Sequence, residues 1–425
     1  MPEFKPFYGW RYHPDRVDIS RVVAPPYDVV NEDETRRYLR QDPHNIFHLE
    51  LGEELPGDHE NENRYLRAKR HLENWIKEGV LVREDRPAFY LYRLRFTYRG
   101  QTFTRTGFIG LVRLSPFSEG RILPHEKTFS KVTEARLQLL RATGAQFSQV
   151  FALYRDPERK TLKLSLPEEP LYRVEESPGI AHEFYVIEDP EVQETLSLQL
   201  SEKVLYIADG HHRYTTALKY AEEMEAKFKP DGPRCFHYLM MYLCPFEDPG
   251  LLVLPTHRLL KIDIPEETVK NKLKDLAEVK EENPSVLENP GRPSKGELLW
   301  LAPEGVLSIG IRPEILSTWE KETGLPESEL PAAWCARIIE ILCGKSEKTL
   351  KEEGLLRYTP WLSEIKKDLS AGNRALILPE TPISVLEKVA TSGKVMPHKS
   401  TYFYPKILTG FVIFKINPEA VPPCP

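Results

Sequence analysis

A chain of 425 residues with 40% apolar content can bury a large core and divide into more than one domain. Its 64 acidic against 58 basic residues leave a net charge of -6, which disfavours the basic surface that broad nucleic-acid binding requires. No apolar run approaches the roughly 20 residues of a membrane helix. The opening Met1-Pro2-Glu3-Phe4-Lys5-Pro6 lacks the basic-then-apolar pattern of a signal peptide, so a soluble cytoplasmic protein without a membrane partner is expected.

In chain order, Ala24-Pro25-Pro26-Tyr27-Asp28-Val29 is a proline-fixed turn that presents Tyr27 and Asp28. From Asn61 to Glu78, Tyr65, Ala68, Leu72, Trp75 and Ile76 make one apolar helical face, and Gly79 supplies a stop. Phe89 to Phe96 and Phe103 to Leu114 read as a hairpin around Tyr98-Arg99-Gly100-Gln101. A helix is expected over Val132 to Thr143, and strands over Phe147 to Tyr154, Phe236 to Leu243 and Leu251 to Leu254. Charge and proline accumulate between Ile264 and Gly296, with a helix start at Pro265-Glu266-Glu267. This stretch is the expected domain boundary, giving a body over 1–263 and a C-terminal α/β section over 264–425. Helical patterns follow at Ala332 to Leu342 and Ile383 to Thr391, then a run rich in aromatics and lysine from Met396 to Phe414. The five cysteines contain no C-x-x-C pair; Cys235, Cys244, Cys335 and Cys343 are expected as core thiols.

Chemistry concentrates at Asp209-Gly210-His211-His212-Arg213. Val204-Leu205-Tyr206-Ile207-Ala208 before it reads as a buried strand, and Tyr214, Ala217, Leu218 and Ala221 after it mark a helix face. A strand-to-helix turn has free backbone N–H groups and the positive end of a helix dipole, which favour an anion. Asp209 is there to hold magnesium or take a proton, and the histidines and Arg213 to neutralise phosphate oxygens; as an ordinary residue Asp209 would simply cap the helix. His125-Glu126-Lys127-Thr128, with Lys131 ahead of a helix, suits a general base working beside phosphates, or else is a solvated loop. Lys399, Ser400, Thr401 and Lys406 near the chain end offer further phosphate contacts, or guard an edge strand. No G-x-x-x-x-G-K-[ST] loop, protein-kinase signature, H-E-x-x-H or G-x-S-x-G elbow occurs, and no zinc, flavin or nicotinamide cofactor is expected.

Ala24 to Val29, His125 to Thr128, Ala208 to Ala217 and Met396 to Tyr404 together resemble the signature segments of a prokaryotic family known as domain of unknown function ten-fifteen. The resemblance runs nearly the whole chain. It implies a ParB/sulfiredoxin-like α/β core extended by N-terminal and C-terminal α/β sections. Within that superfamily, Ala208 to Arg213 is similar to the motif of the free L-serine kinases, which form O-phosphoserine. The resemblance implies catalytic roles for Asp209 and Glu126, with His211, His212 and Arg213 as phosphate ligands. The function it implies is a small-molecule phosphotransferase using magnesium, with L-serine as acceptor and pyrophosphate, ADP or ATP as donor. A phosphate or nucleotide hydrolase using the same site, and a ParB-like nucleotide- or DNA-binding protein, are the alternatives.

Overall fold

The computed structural model describes residues 3–126, 128, 130–289 and 292–424. They form two compact units. The first takes the chain up to Pro124, from Thr128 to Leu251, and from Pro405 onward; the second takes His125 and Glu126 and runs from Leu252 to Tyr404. Both mix helices and sheet, as the α/β reading expects. Among the described residues, no helix is long and apolar enough to cross a membrane.

The first unit is built on a nine-stranded mixed sheet. Its strands are β1 (Phe4–Lys5), β2 (Phe89–Tyr98), β3 (Gln101–Arg113), β4 (Ile122–Leu123), β5 (Val150–Tyr154), β6 (Tyr172–Ser177), β7 (Ile180–Ile187), β8 (Leu205–Asp209) and β9 (Tyr238–Pro245). They lie in the order β4-β8-β5-β9-β3-β2-β7-β6, with β1 pairing β3. The β2–β3 hairpin closes at Tyr98 opposite Gln101, across a two-residue loop. Arg99 and Gly100 both have positive φ (49° and 76°), the backbone that suits the twist of flanking strands and that Gly100 adopts without a Cβ penalty.

Four helices matter for positioning in this unit: α1 (Arg64–Lys77), α2 (Ser130–Thr143), α3 (Pro190–Ser201) and α4 (His211–Phe228). In α1 the expected face is the one that buries Ala68, Leu72 and Trp75, while Asn63 caps the first turn by accepting from the N–H groups of Tyr65 and Leu66. One core joins Leu91, Phe108, Val150 and Met241 of the sheet to Leu196 and Leu200 of α3 and Tyr214 and Ala217 of α4. A second packs α1 against Leu139, Phe147 and Ile413. The strand expected from Phe147 starts only at Val150, with Ala145–Gln146 as a separate short strand. The reason is Gln146: its side chain replaces ladder bonds, accepting from Met240 N at 2.7 Å and donating to Tyr238 O at 3.1 Å.

The cysteine expectation needs one correction. Cys235 and Cys424 are joined in a disulfide across 189 residues. Cys244 and Cys335 are buried free thiols, and Cys343 is a half-buried one.

The second unit has a six-stranded antiparallel sheet of β10 (His257–Leu260), β11 (Ala277–Glu282), β12 (Glu297–Ala302), β13 (Gly305–Ile311), β14 (Leu356–Thr359) and β15 (Arg374–Ile377), in the order β11-β13-β12-β15-β10-β14. Alternation along β12 serves two cores: Leu298 and Trp300 pack with the helix Pro331–Cys343, whereas Leu299 and Leu301 pack with Ile365 of the helix Leu362–Ser370. At the entry and exit of this unit, Leu252–Leu254 pairs antiparallel with Tyr402–Tyr404.

Candidate functional site

The expected turn is present. Strand β8 ends on Asp209, Gly210 follows at φ 93°, and α4 begins at His211. Gly210 is the N-cap, so no side chain reaches the N–H groups of the first turn from that position. The helix is anchored by buried Tyr214, whose hydroxyl donates to Ser115 O at 2.8 Å and accepts from Ser115 N at 3.1 Å. Space at the turn is fully used: a Cβ on Gly210 would lie 3.0 Å from Arg213 Nε. Gly210→Ala is therefore expected to cost about 1–2 kcal/mol, from left-handed strain and displacement of the guanidinium; an unchanged midpoint in urea unfolding would contradict this.

Asp209 is held by two cations. Lys406 Nζ donates to its Oδ2 at 2.7 Å, and Arg213 Nη2 lies 3.9 Å from Oδ1. These side chains are only 16% (Asp209), 15% (Lys406) and 11% (Arg213) exposed, so their attraction is screened less than at an open surface. Arg213 also donates to Gln149 O at 2.6 Å. Burial works against the charge on Arg213, yet Asp209, Tyr27, Asp28 and Glu50 hold its pKa above the ordinary arginine value.

The chain on either side of Lys406 is pinned by buried donors and acceptors. Arg105 Nη2 donates to Pro405 O at 2.6 Å, Gln149 Nε2 donates to Leu408 O at 2.9 Å, and Leu408 N donates to Tyr92 Oη at 2.9 Å. Lys406 thus reaches Asp209 from a fixed strap.

Beside this pair stands a second group that sequence reasoning missed. Glu50 is buried, with Ser148 Oγ donating to Oε1 and Thr409 Oγ1 3.0 Å from Oε2. Arg136 of α2 donates to Glu50 O at 3.0 Å and sets its guanidinium 3.7 Å over the Tyr27 ring. Arg213 lies 5.9 Å over the same ring. Burial raises the Tyr27 pKa, with Arg136 and Arg213 pulling the other way, so the phenol stays protonated near neutrality. A cavity of about 50 Å³ adjoins Glu50, Arg136, Ser148 and Arg213. That is near the volume of one or two waters, too small for a nucleotide. The signal that could have found Glu50 is its place in the apolar run Ile46-Phe47-His48-Leu49-Glu50-Leu51, where a carboxylate must be buried with partners.

The other expected site residues divide between the units. Tyr27, Asp28, Thr128, Lys131, Gly210, His211, His212, Arg213 and Lys406 belong with Asp209 in the first. Asp28 and Lys131 are exposed there, His211 is buried and His212 half-buried. His125 and Glu126 belong to the second unit with Lys399, Ser400 and Thr401. His125 is fully buried, its carbonyl accepting from Met396 N at 2.7 Å and its Nε2 lying 3.4 Å from Thr401 Oγ1. Ser400 Oγ donates to Pro397 O at 2.6 Å, and Lys399 O lies 3.4 Å from Nη1 of buried Arg258. Lys127 lies outside the described residues.

No group of three or more His, Cys, Asp or Glu side chains suited to a metal occurs among the described residues. The surroundings of Asp209 also do not fit a directly bound magnesium. Magnesium needs free oxygen ligands in octahedral array, whereas Lys406 and Arg213 already place two positive charges on this carboxylate.

Among solved structures, the chain is similar to a free serine kinase variant in complex with ADP. Identity is 14%, TM-score 0.37, and coverage 70% of this chain and 90% of that one. It is also similar to a conserved hypothetical protein from Pyrococcus furiosus (14% identity, TM-score 0.34, coverage 68% and 92%). A third is SbnI with C-terminal truncation from Staphylococcus aureus (10% identity, TM-score 0.34, coverage 72% and 86%). Likenesses at this level carry no functional conclusion. A search of curated proteins gives no match. The family model described as protein of unknown function (DUF1015) matches residues 4–316, and the chain belongs to that family.

Proposed function

We propose that this protein is a small-molecule phosphotransferase whose acceptor is the hydroxyl of a free amino acid, L-serine first. The observation that carries the reading is Asp209 at a strand end, held by Lys406 at 2.7 Å and flanked by Arg213, where α4 begins with its first-turn N–H groups uncapped by Gly210. A lysine and a guanidinium beside a helix N-terminus are groups that neutralise a phosphoryl group as its charge shifts in transfer. The similarity of Ala208 to Arg213 to the serine-kinase motif supports the same chemistry.

In this scheme the donor's phosphoryl oxygens take Lys406, Arg213 and the N–H groups of the first turn. The serine hydroxyl oxygen bonds to phosphorus as the bond to the donor's leaving oxygen breaks. The hydroxyl proton passes to a carboxylate, and Glu126 is the base proposed for it, as the resemblance implies. Positioning and charge neutralisation supply most of the rate.

The test incubates the full chain with L-serine, magnesium chloride and, separately, pyrophosphate, ADP and ATP, and detects O-phosphoserine by phosphorus NMR. Product with one donor, lost in Glu126→Gln, supports the reading. Donor cleavage that proceeds equally without serine makes the protein a hydrolase, and no turnover of any donor rejects both.

A further inference from the structure

A chain of polar groups runs from the strap that carries Lys406, through buried Tyr92 and His182, to Glu176 at the wall of a cavity in the first unit. Leu408 N donates to Tyr92 Oη at 2.9 Å, and Tyr92 Oη lies 2.7 Å from His182 Nδ1. His182 Nε2 in turn lies 3.1 Å from Glu176 Oε2. The order of donors follows from the chemistry. Burial pushes the His182 pKa down although Glu176 pulls it up, so the imidazole is neutral near neutral pH and has a single N–H. A carboxylate oxygen accepts, which puts that N–H on Nε2. Nδ1 then accepts from the Tyr92 hydroxyl, whose oxygen accepts from Leu408. Every bond points one way, from backbone to carboxylate.

Glu176 ends this chain at the wall of a cavity of about 330 Å³, within the size range of small-molecule sites. Ser20, Arg37, Tyr38, Gln41 and Glu175 line it with Glu176, and Leu408 forms part of the same wall. The lining carries both signs of charge. Arg37 sits 5.1 Å over the Tyr38 ring, and among the described residues neither Arg37 nor Glu175 has a salt-bridge partner. A guanidinium suits a carboxylate, and paired acids suit an ammonium.

We propose that this cavity is a second ligand site, for a small zwitterion of the amino-acid class, and that its occupant is sensed at Lys406 through Glu176, His182, Tyr92 and Leu408. A ligand ammonium that engages Glu176 competes for the oxygen that His182 uses. That competition is passed along a one-way chain to a backbone N–H two residues from the lysine that pairs with Asp209. The inference goes beyond the phosphotransfer reading and does not depend on it, because binding and lysine reactivity are read without turnover.

The test uses glycine and L-alanine, which have no side-chain hydroxyl to accept a phosphoryl group, and N-acetyl-L-alanine, which lacks the ammonium. Calorimetric titration into wild type, Glu176→Gln and Asp209→Asn gives affinity. Mass spectrometry of Lys406 after brief acetylation, with and without L-alanine, gives the remote effect. The expected result is binding of L-alanine to wild type and Asp209→Asn alike, about tenfold or more weaker in Glu176→Gln, and no binding of the N-acetyl compound. L-alanine is expected to change Lys406 acetylation in wild type and to lose that effect in Tyr92→Phe. Where Tyr92→Phe does not fold, Glu176→Ala, read at saturating L-alanine, removes the acceptor at the exposed end of the same chain. Absence of amino-acid binding, equal binding to Glu176→Gln, binding abolished by Asp209→Asn, or a Lys406 response that survives loss of the chain would each overturn the proposal.

Discussion

Asp209→Asn is expected to lower O-phosphoserine formation by about 10²-fold, the scale of misplacing the groups that hold the reacting phosphoryl. The amide keeps the shape of the carboxylate and removes its charge. Lys406 and Arg213, each mostly buried, then face a neutral group, and the strap loses the ion pair at 2.7 Å that sets the lysine. A stability loss of about 1–3 kcal/mol is expected alongside, as for a charged hydrogen bond whose partner is left behind. Product yield and a urea unfolding curve on the same sample separate the two effects. A variant that turns over within a few-fold of wild type removes Asp209 from the chemistry.

Glu50→Ala is expected to destabilise the first unit by about 3–5 kcal/mol, the cost of breaking a buried charge arrangement from one side. Two groups lose this carboxylate as a partner, the Arg136 guanidinium, whose Nη1 is 4.0 Å from Glu50 Oε1, and the Ser148 hydroxyl, while the Thr409 hydroxyl keeps Phe147 O at 2.7 Å. Glu50→Gln keeps the volume and one acceptor, so its loss is expected to be the smaller of the two. Chemical denaturation followed by tryptophan fluorescence reads both, since Trp75 belongs to the core that includes Phe47 and Leu49 beside Glu50. A loss below about 1 kcal/mol for Glu50→Ala would mean that this carboxylate is dispensable for the fold.

What was legible in the sequence was local. The Arg99-Gly100 loop, the Asn63-capped helix and the turn at Gly210 are each specified within a few residues, by positive φ, by capping and by periodicity. The nonlocal part was closed to such reading. Glu50 meets Ser148 across 98 positions and Thr409 across 359, and no spacing rule joins them. Cys424 finds Cys235 at similar remove, so a count of cysteines without local pairs pointed to thiols. The charged stretch from Ile264 to Gly296 carries its charge for a different reason. It supplies the helix Glu266–Leu273 and β11, an edge strand whose lysine and glutamates face water and discourage pairing with another chain. At the site itself, Asp209 and Arg213 announced themselves by density of polar chemistry, whereas Arg136 and Gln149 became visible only when α2 and β5 were placed beside the turn.

The return of the chain to the first unit after Tyr404 has a consequence in time. Ribosomes add about 5–20 residues per second, so the roughly 150 residues from Leu252 to Tyr404 delay Lys406 by roughly 8–30 s. During that interval Asp209 has been synthesised without its lysine. Ala24 and Trp10 also lack the partners that Thr409 and Ile413 later bring. The second unit, entering and leaving through its own paired strands, can mature in the meantime. The first is completed only once the chain has returned to it after the second, so the pairing of Asp209 with Lys406 forms after the second unit has been synthesised.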